Sequence, residues 1–249
     1  MLEKFVKIFI FIIAVVLAYN IYIQVKNGNI ATKQKEKRLK KIMPKNPALI
    51  ETMHERLSKL NAFSGDPVFI RIFKKEAILE LWIKPQDSRV YKLLKIYPIC
   101  KYSGHLGPKL KEGDKQAPEG FYIVNKRSLN PNSRFHLSFN LGYPNAYDRA
   151  YGRTGSYLMV HGSCASVGCY AMGDRNIEDI YSLVSDALNN GQKSVQVHIF
   201  PFKMEHLKEY KNSKWYSFWK NLKEGYDIFN AHHIPPKVSV VDKEYRFSY

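Results

Sequence analysis

The feature that most constrains this chain is a series of short apolar runs, each the length of a strand. VFIRIF (68–73), AILELWI (77–83), YKLLKIYPIC (91–100), GFYIVN (120–125), SYLMV (156–160) and SVQVHIF (194–200) recur through the middle of the sequence. Lys74-Lys75-Glu76 separates the first two as a hairpin turn would. Between the third and fourth runs lies SGHLGPKLKEGDKQAPEG, a long loop rich in Gly, Pro and Lys, and loops of that length are often functional.

Helical spacing appears in fewer places. Ile50, Met53, Leu57 and Leu60 predict an amphipathic helix within 47–61, which Gly65-Asp66-Pro67 breaks. Ile177, Ile180, Tyr181, Val184 and Leu188 fall on one helical face; Asp174 or Asn176 caps the start, Glu178 and Asp179 suit the first turn, and Gly191 ends it. The aromatic stretch 214–222 reads as a further helix and 237–241 as a last strand. The fold class is therefore mainly β with a few helices (α+β), in one domain covering 47–249.

Two segments precede that domain. Residues 5–25 are apolar apart from Lys7, Asn20 and Gln24, close to the ~20 residues a spanning helix needs. No small-x-small cleavage site follows, which favours an uncleaved anchor over a removed signal, so 1–25 is read as a signal or membrane anchor. Residues 26–46 form a basic tether, with Glu36 the one acidic residue among its lysines and Arg38. That charge would place the flank in the cytoplasm. The large domain that follows, and the external substrate argued below, favour export, so the expected location is the periplasm or cell envelope.

The formal net charge of the 249 residues is +17. Such a balance attracts nucleic acid, anionic lipid or an acidic wall polymer. No zinc-finger spacing or base-stacking signature supports nucleic acid, which is excluded as a partner. There are three cysteines, Cys100, Cys164 and Cys169. An odd count leaves at least one thiol free in an exported monomer, and a free thiol in an oxidising compartment is a liability unless it has work to do.

That directs attention to MVHGSCASVGCYAMGD (159–174). An apolar run delivers His161, a small-residue loop follows, and Cys169 stands ahead of a helix. A thiol at a helix N-terminus gains thiolate stability from the dipole. An imidazole within reach takes its proton and later returns it to a leaving group. Beside the thiol, Gly168 lets backbone N–H groups turn toward an oxyanion. Three plainer readings stay open: a chance coincidence of Cys and His, a structural zinc on His161, Cys164 and Cys169, and a short Cys164–Cys169 disulfide.

The sequence also resembles a known family. Ser166-Val167-Gly168-Cys169 behind His161-Gly162 is similar to the signature of the YkuD-type L,D-transpeptidases, as is Ala117-Pro118-Glu119-Gly120-Phe121-Tyr122 to their Pro-x-Gly-aromatic element. Cys100-Lys-Tyr-Ser-Gly, Leu106-Gly-Pro-Lys, Gly142-Tyr-Pro-Asn-Ala-Tyr-Asp-Arg149 and Ser194-Val-Gln-Val narrow the likeness to the YafK branch, over about residues 66–241.

The resemblance implies a β-sandwich-like catalytic domain acting on peptidoglycan stem peptides at meso-diaminopimelate. Cys169 is then the nucleophile and His161 the general base. The Gly168 and Cys169 N–H groups form the oxyanion site, with Ser166 and Gly162 shaping the loop. The YafK branch is associated with hydrolysis that detaches anchored lipoprotein; the rivals are transpeptidation and a non-catalytic peptidoglycan-binding module. No metal or other cofactor is implied. Two departures stand out: Val167 where histidine is usual, and Ala171 where arginine is usual. Arg149 or Arg153 is the expected replacement for that arginine, since a planar guanidinium suits a carboxylate. Tyr143, Asn145, Tyr147 and His105 are further candidates for lining the cleft.

Overall fold

The computed structural model describes residues 51–249. The expected anchor (1–25) and basic tether (26–46) lie outside the described residues, as do 47–50. Helix α1 (Met53–Leu60) starts later than its apolar spacing predicts because Thr52 caps it. The Thr52 hydroxyl accepts the Glu55 N–H at 3.2 Å while the Glu55 carboxylate accepts the Thr52 N–H at 2.7 Å, a reciprocal cap.

The main sheet has five strands: β1 (Val68–Phe73), β2 (Ile78–Ile83), β3 (Lys92–Pro98), β4 (Gly120–Val124) and, much later, β9 (Val195–Phe200). Their spatial order is β3-β2-β1-β9-β4, antiparallel except for the β1–β9 pair. The β1–β2 hairpin joins where expected, with Val68 opposite Ile83 and Phe73 opposite Ile78.

Every residue of β1 is buried. Val68, Ile70 and Ile72 enter one core with Leu79, Leu81, Val197 and Ile199. Phe73, with Phe121 and Phe200, enters a second core on the opposite face. A strand covered on both faces reads as a continuous apolar run, which is why these strands stand out in the sequence.

Helix α4 (Tyr216–His232) and the hairpin β10 (Lys237–Val241)–β11 (Glu244–Ser248) supply Trp219, Leu222, Tyr226 and Tyr245 to that second core. The helix is much longer than the 214–222 stretch suggested, because Phe229 extends its buried face against Phe69 and Trp82.

The first core is closed by helix α3 (Asp174–Asn189) and a second, smaller sheet. That sheet holds β5 (Leu129–Ser133), β6 (His136–Asn140), β7 (Met159–His161) and β8 (Tyr170–Ala171), in that order. Phe139, Val160 and Tyr170 face the core and are fully buried. A short helix, α2 (Ala146–Ala150), lies between β6 and β7.

Candidate active site

Period-two alternation places the reactive side chains. Val160 pairs with Tyr170, and His161 with Ala171, in parallel register. Both partners in the first pair point into the core. His161, Ala171 and, one step back, Met159 and Cys169 therefore share the opposite face. Ser138 on β6 pairs with His161 and extends this row.

Cys169 stands just before β8, and its thiol lies against the backbone of β7 at Met159, two residues before His161. In the resting arrangement the thiol is held by the backbone: the Met159 N–H donates to Cys169 Sγ at 3.4 Å, and the thiol faces the Tyr157 carbonyl at 3.6 Å.

His161 is 1% exposed, and its Nδ1 lies 2.6 Å from the Gly162 carbonyl. A carbonyl only accepts, so the proton is on Nδ1 and Nε2 keeps its lone pair. Phe135 lies over the ring at 4.7 Å between centroids. Burial pulls the imidazole down from the usual histidine range, against the Gly162 hydrogen bond. Burial also pushes the Cys169 thiol up, against the Met159 N–H and the positive charge of Lys109. Both shifts favour the uncharged forms of the two groups.

The loop between them is braced at three points. Ser163 donates its N–H to Asp174 Oδ1 at 2.6 Å and accepts the Gly173 N–H at 2.8 Å. Cys164 is disulfide-bonded to Cys100. The Ser166 hydroxyl donates to the Cys169 carbonyl at 2.7 Å, accepts the Gly168 N–H at 3.3 Å and meets Ser103 Oγ at 3.3 Å. A side chain on Gly162 would strike the Phe135 carbonyl at 2.6 Å, and Gly168 sits at φ 127°, so both glycines are required.

Several expectations are corrected here. Cys169 does not stand at a helix N-terminus: β8 intervenes, and α3 begins five residues later with Gly173 as its N-cap. Neither Asp174 nor Asn176 caps that helix; Asp174 holds Ser163 instead. The sulfur of Cys164 is bonded to Cys100, not to Cys169, and Cys169 is the free thiol. Strand β7 starts at Met159 rather than Ser156, because Tyr157 has φ 51°. Of the two expected oxyanion donors, the Gly168 N–H is taken by Ser166.

The proposed cleft residues divide. Tyr143 donates its hydroxyl to the Lys109 carbonyl at 3.1 Å and belongs to a wall discussed below. Asn145 caps α2 and bonds Phe121 and Tyr245. Tyr147 stacks on Tyr245, and Arg153 pairs with Asp148 at 2.8 Å among Tyr147, Tyr151 and Phe218. Arg149 is exposed and bonds the Pro144 carbonyl. All four serve α2 and its packing rather than the face carrying the thiol.

His105 lies on the long loop, where its carbonyl accepts from the buried Lys74 ammonium at 2.8 Å. Lys74 also bonds the Gly107 and Ala117 carbonyls and Glu119, drawing the loop's two ends together. Sequence reasoning missed Ser103, Lys109, Asp114, Gln116, Phe135 and Ser138. Ser103 and Lys109 lay within the quoted motifs Cys100-Lys-Tyr-Ser-Gly and Leu106-Gly-Pro-Lys without a role given to them, and the length of the 103–120 loop was the signal for Asp114 and Gln116.

Known proteins resemble the chain as follows. The family described as L,D-transpeptidase catalytic domain (YkuD) matches residues 69–199, which include His161 and Cys169. A protein of Escherichia coli (strain K12) named "Putative L,D-transpeptidase YafK" is 51% identical over 183 residues, covering 73% of this chain and 74% of that protein; the Escherichia coli O157:H7 counterpart gives the same figures. Among solved structures, the helical cell shape determining protein Pgp2 (K307A mutant) of Campylobacter jejuni matches with TM-score 0.44 and 18% identity over 77% of this chain and 80% of that one. Bd1075 of Bdellovibrio bacteriovorus matches with TM-score 0.38 and 14% identity over 73% and 84%.

Proposed function

The chain belongs to the L,D-transpeptidase catalytic domain family, and on that premise we propose that it is a cysteine amidase of the cell envelope. Its substrate is the amide that joins meso-diaminopimelate of peptidoglycan to an anchored lipoprotein. The observation that supports the chemistry is the Cys169 thiol lying against Met159 of β7, two residues before His161, whose Nδ1 is committed to Gly162.

The steps follow from that geometry. As Cys169 Sγ attacks the amide carbonyl, His161 Nε2 takes the thiol proton. The tetrahedral oxyanion is met by the Cys169 N–H, which bonds no partner among the described residues. His161 then protonates the departing amine, leaving a thioester on Cys169. Water attacks the thioester with His161 again as base, and the diaminopimelate carboxylate and free thiol result.

The choice of water over an amine acceptor rests on the likeness to the YafK branch. Location in the periplasm is supported by the Cys100–Cys164 disulfide, since such bonds persist in oxidising compartments. Membrane tethering rests on the apolar run 5–25, because no helix among the described residues is long and apolar enough to span a bilayer.

The test is to incubate the full chain, and a Cys169→Ala control, with sacculi carrying covalently bound lipoprotein, and to read both fractions by mass spectrometry. Release of protein with a free lysine end, by the native chain alone, is the expected result. New diaminopimelate–diaminopimelate cross-links without release would make it a transpeptidase. No change in either fraction would point to a binding module.

A further inference from the structure

β8 stands between Cys169 and α3, so that helix does not begin at the thiol. The long loop 103–120 offers a cation instead. Lys109 is 2% exposed, and its ammonium donates to Asp114 Oδ1 at 2.5 Å and to the Lys111 carbonyl at 2.8 Å. Two segments bracket it, one packed on Gly168 beside Cys169 and one leading to the Tyr157 carbonyl that faces the thiol.

On one side, Asp114 Oδ1 also accepts the Gln116 N–H at 3.0 Å. The Gln116 carbonyl lies 3.4 Å from where a side chain on Gly168 would begin, next to Cys169. On the other side, the Lys109 side chain packs so closely on Gly155 that an added Cβ would sit 2.5 Å from its Cε. Gly155 stands two residues before Tyr157, whose carbonyl faces the thiol. Tyr143 completes the wall by donating to the Lys109 carbonyl.

We propose that Lys109 is a positioning residue for Cys169: its buried ammonium, clasped by Asp114, supplies the positive field that favours the thiolate as the imidazole withdraws the proton. The inference rests on the reading of Cys169 as nucleophile. Opposite charges nearby favour ionised forms, and a buried pair is little screened by salt. Asp114 keeps its negative charge: burial works against it, but Lys109 and the Leu110, Lys111 and Gln116 N–H groups hold its carboxyl below the usual range. The clasp fixes the ammonium without leaving it bare, and the positive charge of Lys109 works against the burial that pushes the thiol up. The other titratable groups on the segments packed here are Lys111, Glu112 and Lys115 of the loop, Tyr143, Arg153 and Tyr157, and His161 on β7.

The experiment is the rate of alkylation of Cys169 by iodoacetamide from pH 6 to 10, in the full-length, disulfide-intact protein. Cys169 is the one thiol available, since the other two of the three cysteines are paired. Lys109→Met is expected to move the thiolate midpoint up by about half a unit to one unit, slowing alkylation at pH 7 roughly three- to tenfold. Lys109→Arg restores the native profile. Asp114→Asn, which keeps an oxygen for Lys109 but removes the opposing charge, moves the midpoint down, and it serves as the test if Lys109→Met does not fold.

Coincident profiles for native, Met and Arg variants would overturn the role. So would an upward shift in Asp114→Asn equal to that of Lys109→Met, which would mark a merely structural clasp. The nucleophile reading fails differently: His161→Ala would then leave the alkylation rate of Cys169 unchanged across the whole pH range.

Discussion

The two sheets of this molecule are built to opposite specifications. In the five-stranded sheet, strands of five to seven residues pair in long registers, and β1 is buried throughout. In the four-stranded sheet, β7 has three residues and β8 two. The first is held by apolar burial on two faces. The second has short strands, carries the buried Ser138, His161 and Ala171 on the face away from the core, and has its loop braced by a disulfide, a serine hydroxyl and an aspartate. Stability and reactivity are thus separately housed, with α3 and the first core between them.

If that division is right, changes in the small sheet move activity and changes in the large sheet move stability. The largest effect is expected for Cys169→Ala, which should lower turnover by about 10⁴-fold or more while leaving the melting temperature near that of the native chain. His161→Ala follows, at roughly 10²- to 10⁴-fold. Its pH profile sharpens the point. Activity needs unprotonated His161, and burial depresses its pKa, so the native acid limb falls below the ordinary value of about 6.5. Thiol alkylation by His161→Ala should lack that limb and rise only as the thiol itself ionises, above the ordinary cysteine range.

On the scaffold side, Ile70→Ala empties a fully buried site in the first core and should cost about 2–5 kcal/mol in denaturant unfolding. Alkylation of Cys169 well below the transition should not change; a changed rate would break the separation. Replacing Cys100 and Cys164 together with serine should cost about 2–4 kcal/mol and also slow alkylation, since the crosslink lies in both ledgers at once. The smallest effect is expected for Ser166→Ala, about 1 kcal/mol of stability with a few-fold fall in turnover, read by calorimetry and product release.

The same contrast explains what could be read from the sequence. VFIRIF and SVQVHIF were legible because burial on both faces makes composition alone sufficient. His161 and Cys169 were legible as a pair of reactive types around glycine, and the resemblance named their roles. The immediate surroundings of Cys169 were not legible. Tyr170-Ala171 forms a strand only because β7 lies on one side and the Lys101 backbone on the other, and neither partner is local. The Cys100–Cys164 pairing spans 64 residues and has no spacing signal. Arg153 and Tyr147 looked like ligand-binding types, yet Arg153 is paired with Asp148 of α2, and aromatic partners of the two sit on α4 and β11.

The disulfide has a consequence for how this chain matures. Three cysteines admit three different single bridges, and two of them would consume Cys169. The Cys164–Cys169 bridge is favoured by proximity along the chain, whereas the native one must wait until β3 and the small sheet have met. Oxidation before folding therefore favours a bridge that occupies Cys169, and reaching the Cys100–Cys164 bridge from there requires thiol–disulfide exchange. The yield of competent enzyme is decided by the order of two events, collapse and oxidation, before any substrate is encountered.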